Sequence, residues 1–124
     1  MKLKRIAISI VVTLGFISLS HAGGWSNYQI ITESNGISLA FKANDTKCGT
    51  SIKWKAINES DERIGVSVND KVYICGNGEQ DSASDESFGR IKSGDHFTLM
   101  PDNCRCEGRG GVDTVDASIS THDW

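Results

Sequence analysis

The chain is predicted to be all-β, an antiparallel β-sandwich of about eight short strands stabilised by disulfides. Three observations predict it. Apolar residues recur mainly with period two, turn residues interrupt them about every 8 to 12 positions, and four cysteines lie in the last 77 residues of a 124-residue chain with one proline and no repeat or low-complexity tract. An α+β fold is the weaker alternative. In order along the chain, residues 28–32 and 36–43 flank Ser34-Asn35-Gly36, and Asn-Gly between apolar runs is a strong hairpin signal. Residues 50–57 form the clearest strand: Ile52, Trp54 and Ala56 face one way and Lys53 and Lys55 the other, with Trp54 as a core anchor. Asn58-Glu59-Ser60-Asp61 is a polar turn. Ile64, Val66 and Val68 then alternate with Gly65 and Ser67, Asn69-Asp70 is a second turn signal, and Val72 and Ile74 oppose Tyr73 and Cys75 on a return strand. A three-stranded meander over residues 50–75 is the expectation. Residues 76–87, GNGEQDSASDES, lack apolar periodicity and read as a surface loop. Residues 88–91 and 96–100 flank the turn Lys92-Ser93-Gly94-Asp95, and residues 112–120 make a last strand with Val115, Ala117 and Ile119 on one face.

The first 22 residues read as an export signal. Lys2, Lys4 and Arg5 form a positive n-region, residues 6–19 are apolar, and Ser20-His21-Ala22 offers small residues for cleavage after Ala22. The apolar run is shorter than the roughly 20 residues that cross a bilayer. Residues 23–124 are then a single domain exported to the periplasm. Removing three cations takes the net charge from −3 to −6. Such a balance argues against nucleic acid and anionic membrane surfaces, which select clustered Lys and Arg, and favours a cationic protein partner.

Cys48, Cys75, Cys104 and Cys106 all fall after the signal, and an oxidising compartment keeps such thiols paired. Bridging Cys104 to Cys106 across one residue makes a small strained ring, so each is expected to pair with one of Cys48 and Cys75, in either combination. The CxC spacing, with His96 and His122 elsewhere, departs from structural zinc patterns, and no metal or other cofactor is expected.

Catalysis is not expected either. Glu79, Asp81, Asp85 and Glu86 lie in a polar loop without the rigid, separated placement that acid and base carboxylates need, and neither His96 nor His122 stands in a triad motif. With Glu59, Asp61 and Glu62 of the preceding polar turn, these acids are the candidate partner-binding residues. Arg109-Gly110-Gly111 reads as a glycine-rich turn beside the CxC pair rather than a nucleic-acid motif. Trp25, Tyr28 and Trp124 are the aromatics that a carbohydrate-binding module would stack on sugars, the alternative function, although terminal aromatics more often close the ends of a sandwich core.

Taken together, the leader, the hundred-residue acidic β domain and the arrangement CGTSIKWKAINES, VYICGNG and PDNCRC resemble the periplasmic immunity proteins of type VI secretion effectors, specifically those that neutralise peptidoglycan-hydrolysing VgrG-type effectors. The resemblance covers the whole chain at the level of architecture. It implies a homodimeric sandwich that binds the lysozyme-like domain of a toxin and blocks its cleft, and it transfers no site residue by position.

Overall fold

The computed structural model describes residues 15–16 and 24–123. Every helix or strand among them is a strand: β1 (Gly15–Phe16), β2 (Gln29–Ser34), β3 (Ile37–Thr46), β4 (Gly49–Asn58), β5 (Ile64–Cys75), β6 (Gln80–Ala83), β7 (Glu86–Ile91), β8 (His96–Thr98), β9 (Asp102–Arg105) and β10 (Val112–His122). They form two antiparallel sheets packed together, which is the expected sandwich. The expected leader lies outside the described residues except for β1, whose backbone pairs with β10.

Both sheets follow one plan. A long central strand carries one full-length neighbour on one side and two short strands in succession on the other. In the first sheet β4 pairs with β3 along its length, while its start meets β9 and its end meets β8. In the second, β5 pairs with β10, its start with β7 and its end with β6. The core fills the gap between them. Ile37, Leu39, Phe41, Ile52, Trp54 and Ala56 from the first sheet meet Val66, Val68, Tyr73, Phe88, Val112 and Val115 from the second.

The hairpin at Asn35-Gly36 forms as the sequence predicts. Asn35 and Gly36 both have positive φ, 53° and 80°, the pattern that matches the twist of two antiparallel strands. Gly36 is required twice over, because a Cβ there would stand 2.9 Å from that of Ser60.

The meander over residues 50–75 does not form. Residues 64–75 are one strand of 12 residues, and β4 and β5 lie in different sheets. Asn69-Asp70 is a bulge within β5, where the register against β10 slips and Asp70 takes a φ of 54°. Turn and bulge share a residue signature, because Asn and Asp tolerate the left-handed region that both require. The bulge has a large consequence. Before it the inward residues are even-numbered, Val66 and Val68; after it they are Lys71, Tyr73 and Cys75. One extra residue therefore turns a lysine into the interior.

Residues 76–87 are likewise not all loop. Gln80–Ala83 forms β6 on the edge of β5, and Glu86 begins β7. Edge strands half open to water carry no apolar alternation, which is why periodicity missed them. The disulfides are Cys48–Cys104 and Cys75–Cys106, one of the two combinations expected. The first ties the β3–β4 turn to β9, and the second joins the end of β5 to the segment after β9, across the two sheets. Two disulfides are consistent with an oxidising, exported location.

Candidate functional site

The seven candidate acids divide into two groups. Those of residues 79–86 are engaged by the fold itself. Glu79 lies 3.6 Å from Arg109, and Asp81 lies 3.1 Å from Arg109 and 3.8 Å from Arg105. Asp81 also accepts hydrogen bonds from the amides of Cys106 and Ser82. Partial burial raises the Asp81 carboxyl, but those two amides and the two guanidinium groups outweigh it and hold the carboxyl below the ordinary carboxylate value. Asp85 accepts the amide of Asp70 and so caps the bulge. Glu86 accepts from Lys71 at 2.6 Å. The local sequence contains no cation, yet the fold brings Arg105, Arg109 and Lys71 to it.

Glu59, Asp61 and Glu62 are different. All three are exposed, and their side chains make no hydrogen bond or ion pair with another described residue. The turn that carries them is nevertheless firmly built, and Asn58 builds it. Buried at the end of β4, Asn58 donates through Nδ2 to the carbonyls of Glu62 and Ile91, both at 2.8 Å, and accepts through Oδ1 from the amide and hydroxyl of Ser60. Its own amide donates to the Asp95 carbonyl, and its carbonyl accepts from Gly94. Every donor and acceptor position of the side-chain amide is thus used. Ser93 donates to the Ser60 carbonyl and Glu59 to the Gly36 carbonyl. One end of the sandwich is therefore a set of three interlocked turns, residues 34–36, 58–63 and 92–95, with the buried Asn58 side chain bracing the middle one and these further bonds joining it to the other two. Sequence reasoning found the polar turn but missed Asn58. The available signal was an Asx-turn, Asn two residues before Ser, at the end of a strongly alternating strand.

Between the sheets lies a polar network that sequence reasoning also missed. Lys71, 1% exposed, donates to Glu86 and, at 3.1 Å, to Asp102; Tyr73 donates to the same Asp102 oxygen at 2.6 Å, and Trp54 donates from Nε1 to the Tyr73 hydroxyl at 3.0 Å. Burial, then the adjacent Asp102 carboxylate, push the Tyr73 phenol far above its ordinary value, so it stays neutral and acts as a donor. The ammonium is sealed from solvent. It clamps one sheet to the other and presents nothing to a substrate.

A third feature lies on the outer face of the β4 sheet. Lys42, Lys53 and Lys55 project there, and Trp25 and Tyr28 lie against them: Lys42 is 5.4 Å from the Trp25 ring and 4.9 Å from that of Tyr28, Lys53 is 5.4 Å from Trp25, and Lys55 is 4.6 Å from Tyr28. Trp25 and Tyr28 therefore do not close the ends of the core; Trp124 lies outside the described residues. His96 is exposed on the short β8, and His122 Nε2 lies 3.3 Å from the Ser67 hydroxyl. Among the described residues no three His, Cys, Asp or Glu side chains converge as a metal site requires. No protein-family model, curated protein or solved structure matches the chain.

Proposed function

We propose that this protein is a periplasmic immunity protein that binds and blocks a peptidoglycan-degrading, lysozyme-like effector, with residues 58–63 at the contact. The observation that carries the proposal is the pairing of rigidity with unspent charge: Glu59, Asp61 and Glu62 are exposed and unpaired on a turn that Asn58 holds from inside. A preorganised loop loses little conformational freedom on binding, and carboxylates free of internal partners steer a cationic enzyme toward it. Such a surface suits an inhibitor, which needs shape and charge rather than catalytic groups. The resemblance to immunity proteins of type VI effectors supplies the identity of the target class.

The four acids of residues 79–86 have a different role in this reading. Their charges already serve Arg105, Arg109, Lys71 and the β5 bulge, so reversing them would disturb the fold before it disturbed a contact.

The test is inhibition of wall hydrolysis. A lysozyme-like peptidoglycan hydrolase domain of a type VI effector is assayed on dye-labelled cell walls with rising amounts of the protein. Dye release is expected to fall to background near equimolar protein. The variant Glu59→Gln/Asp61→Asn/Glu62→Gln is expected to slow association by about tenfold at low salt and less at high salt. Undiminished hydrolysis in excess protein would overturn the function, and unchanged association of the triple variant would remove the turn from the contact.

A further inference from the structure

The outer face of the β4 sheet carries chemistry that an inhibitor acting through residues 58–63 does not use. Lys42 on β3 and Lys53 on β4 are directly opposed, and Lys55 follows two positions along the same face. Opposed like charges destabilise a sheet. The chain is rich in acids, yet none of these three lysines forms an ion pair with a described residue; the groups beside them are the rings of Trp25 and Tyr28, whose electron-rich faces partly offset the repulsion. Trp25 remains 37% exposed. The net charge of the chain conceals this local reversal of sign.

From this face we infer a binding site for an acidic glycan, a saccharide chain bearing carboxylates. Opposed residues on neighbouring strands stand about 5 Å apart and alternate residues along a strand about 7 Å apart, so the three lysines rise from a strip of the sheet rather than from one point and suit a ligand with charges at intervals. The partly exposed rings of Trp25 and Tyr28 supply flat apolar surfaces of the kind on which sugar rings stack. An acidic polypeptide would answer the lysines equally well. It would have no corresponding use for paired aromatic platforms, and that difference favours the glycan.

The probe is oligogalacturonate, titrated into the purified protein and followed by calorimetry and tryptophan emission. Its methyl ester, with the charges masked, and poly-glutamate of matched charge are the comparisons. Oligogalacturonate is expected to bind with a change in emission, the ester at least about tenfold more weakly, and Lys42→Gln/Lys53→Gln/Lys55→Gln to lose about tenfold in affinity without loss of thermal stability. Trp25→Ala is expected to weaken the glycan and leave poly-glutamate unaffected. Absence of oligogalacturonate binding would overturn the inference, as would equal binding of the ester. Tight poly-glutamate binding together with indifference of the glycan to Trp25→Ala would assign the face to acidic polypeptide instead. None of these outcomes depends on hydrolase inhibition, so the two readings fail separately.

Discussion

Lys71 and Asp102 meet across the gap between the two sheets at 3.1 Å, and they do so because the bulge at Asp70 rotates β5 by one residue. Without that inserted residue, alternation would send Lys71 to solvent and bring Val72 inward. The clamp and the bulge are therefore one device, capped by Asp85 and completed by Glu86, Tyr73 and Trp54.

Removing the lysine alone should be severe. Lys71→Met leaves Asp102 and Glu86 without their shared cation, and loss of one partner of a buried pair typically costs about 3–5 kcal/mol; Glu86 is partly exposed, which places the expected loss near the lower end. Urea denaturation should show a reduced midpoint at unchanged slope. A loss under about 1 kcal/mol would mean that water already solvates the pair.

Tyr73→Phe tests the other half of the network. It removes the acceptor of the Trp54 indole N–H, which is fully buried, and a donor to Asp102. An orphaned buried donor costs about 1–3 kcal/mol. The double variant Lys71→Met/Tyr73→Phe should lose less than the two single losses added, because both act through Asp102.

How far the sequence reaches is clear from these residues. Period-two patterning is enough for β3, β4 and β10, for the inward Trp54 and for the outward Lys53 and Lys55, because each depends on local alternation. The hairpin at Asn35-Gly36 is local chemistry too. The β5 bulge is not legible, since Asn69-Asp70 serves a turn and a bulge alike. Nor is the fate of Glu79, Asp81, Asp85 and Glu86, whose cationic partners arrive from other elements. Lys42 joins Lys53 only through cross-strand register, and Trp25 reaches both only through the path of residues 24–28 along β3, where Ser26 bonds Ala43.

Asp81 gives the protein a defined response to acid. Its carboxyl titrates lower in the fold than in the unfolded chain, so the folded state holds the charged form more strongly, and the resulting stabilisation is complete above the ordinary carboxylate value. It is lost as pH falls through that value toward the folded one. Unfolding free energy should therefore decline as pH falls below the ordinary carboxylate value of about 4, and Asp81→Asn should flatten part of that decline. Identical slopes for the two proteins would assign the acid response to other carboxylates.

The two disulfides together should matter more than any single side chain. They close loops with separations of 56 residues for Cys48–Cys104 and 31 for Cys75–Cys106, and each is expected to contribute about 3–4 kcal/mol by restricting the unfolded chain. Two such contributions rival the whole stability of a small domain, so reduction is expected to unfold the protein near room temperature. Cys75→Ala/Cys106→Ala should be folded but less stable by several kcal/mol. Retention of full stability under a strong reductant would contradict this.

Asn58 links stability to binding most directly. In Asn58→Asp an oxygen takes the place of Nδ2, so one acceptor would face the carbonyls of both Glu62 and Ile91 where Nδ2 now donates, in a position 0% exposed. The expected loss is about 2–5 kcal/mol, from an unsatisfied buried charge rather than from a smaller side chain. Asn58→Ser is the comparison, since it retains a hydroxyl able to donate to one carbonyl and adds no charge. If the turn contributes to the contact through its rigidity, Asn58→Ser should stay folded under assay conditions and release the hydrolase faster, with association nearly unchanged because Glu59, Asp61 and Glu62 retain their charges. Replacing those three acids should do the reverse, slowing association with a smaller effect on release. The same kinetic change in both variants would show that charge and rigidity are not separable at this end of the sandwich.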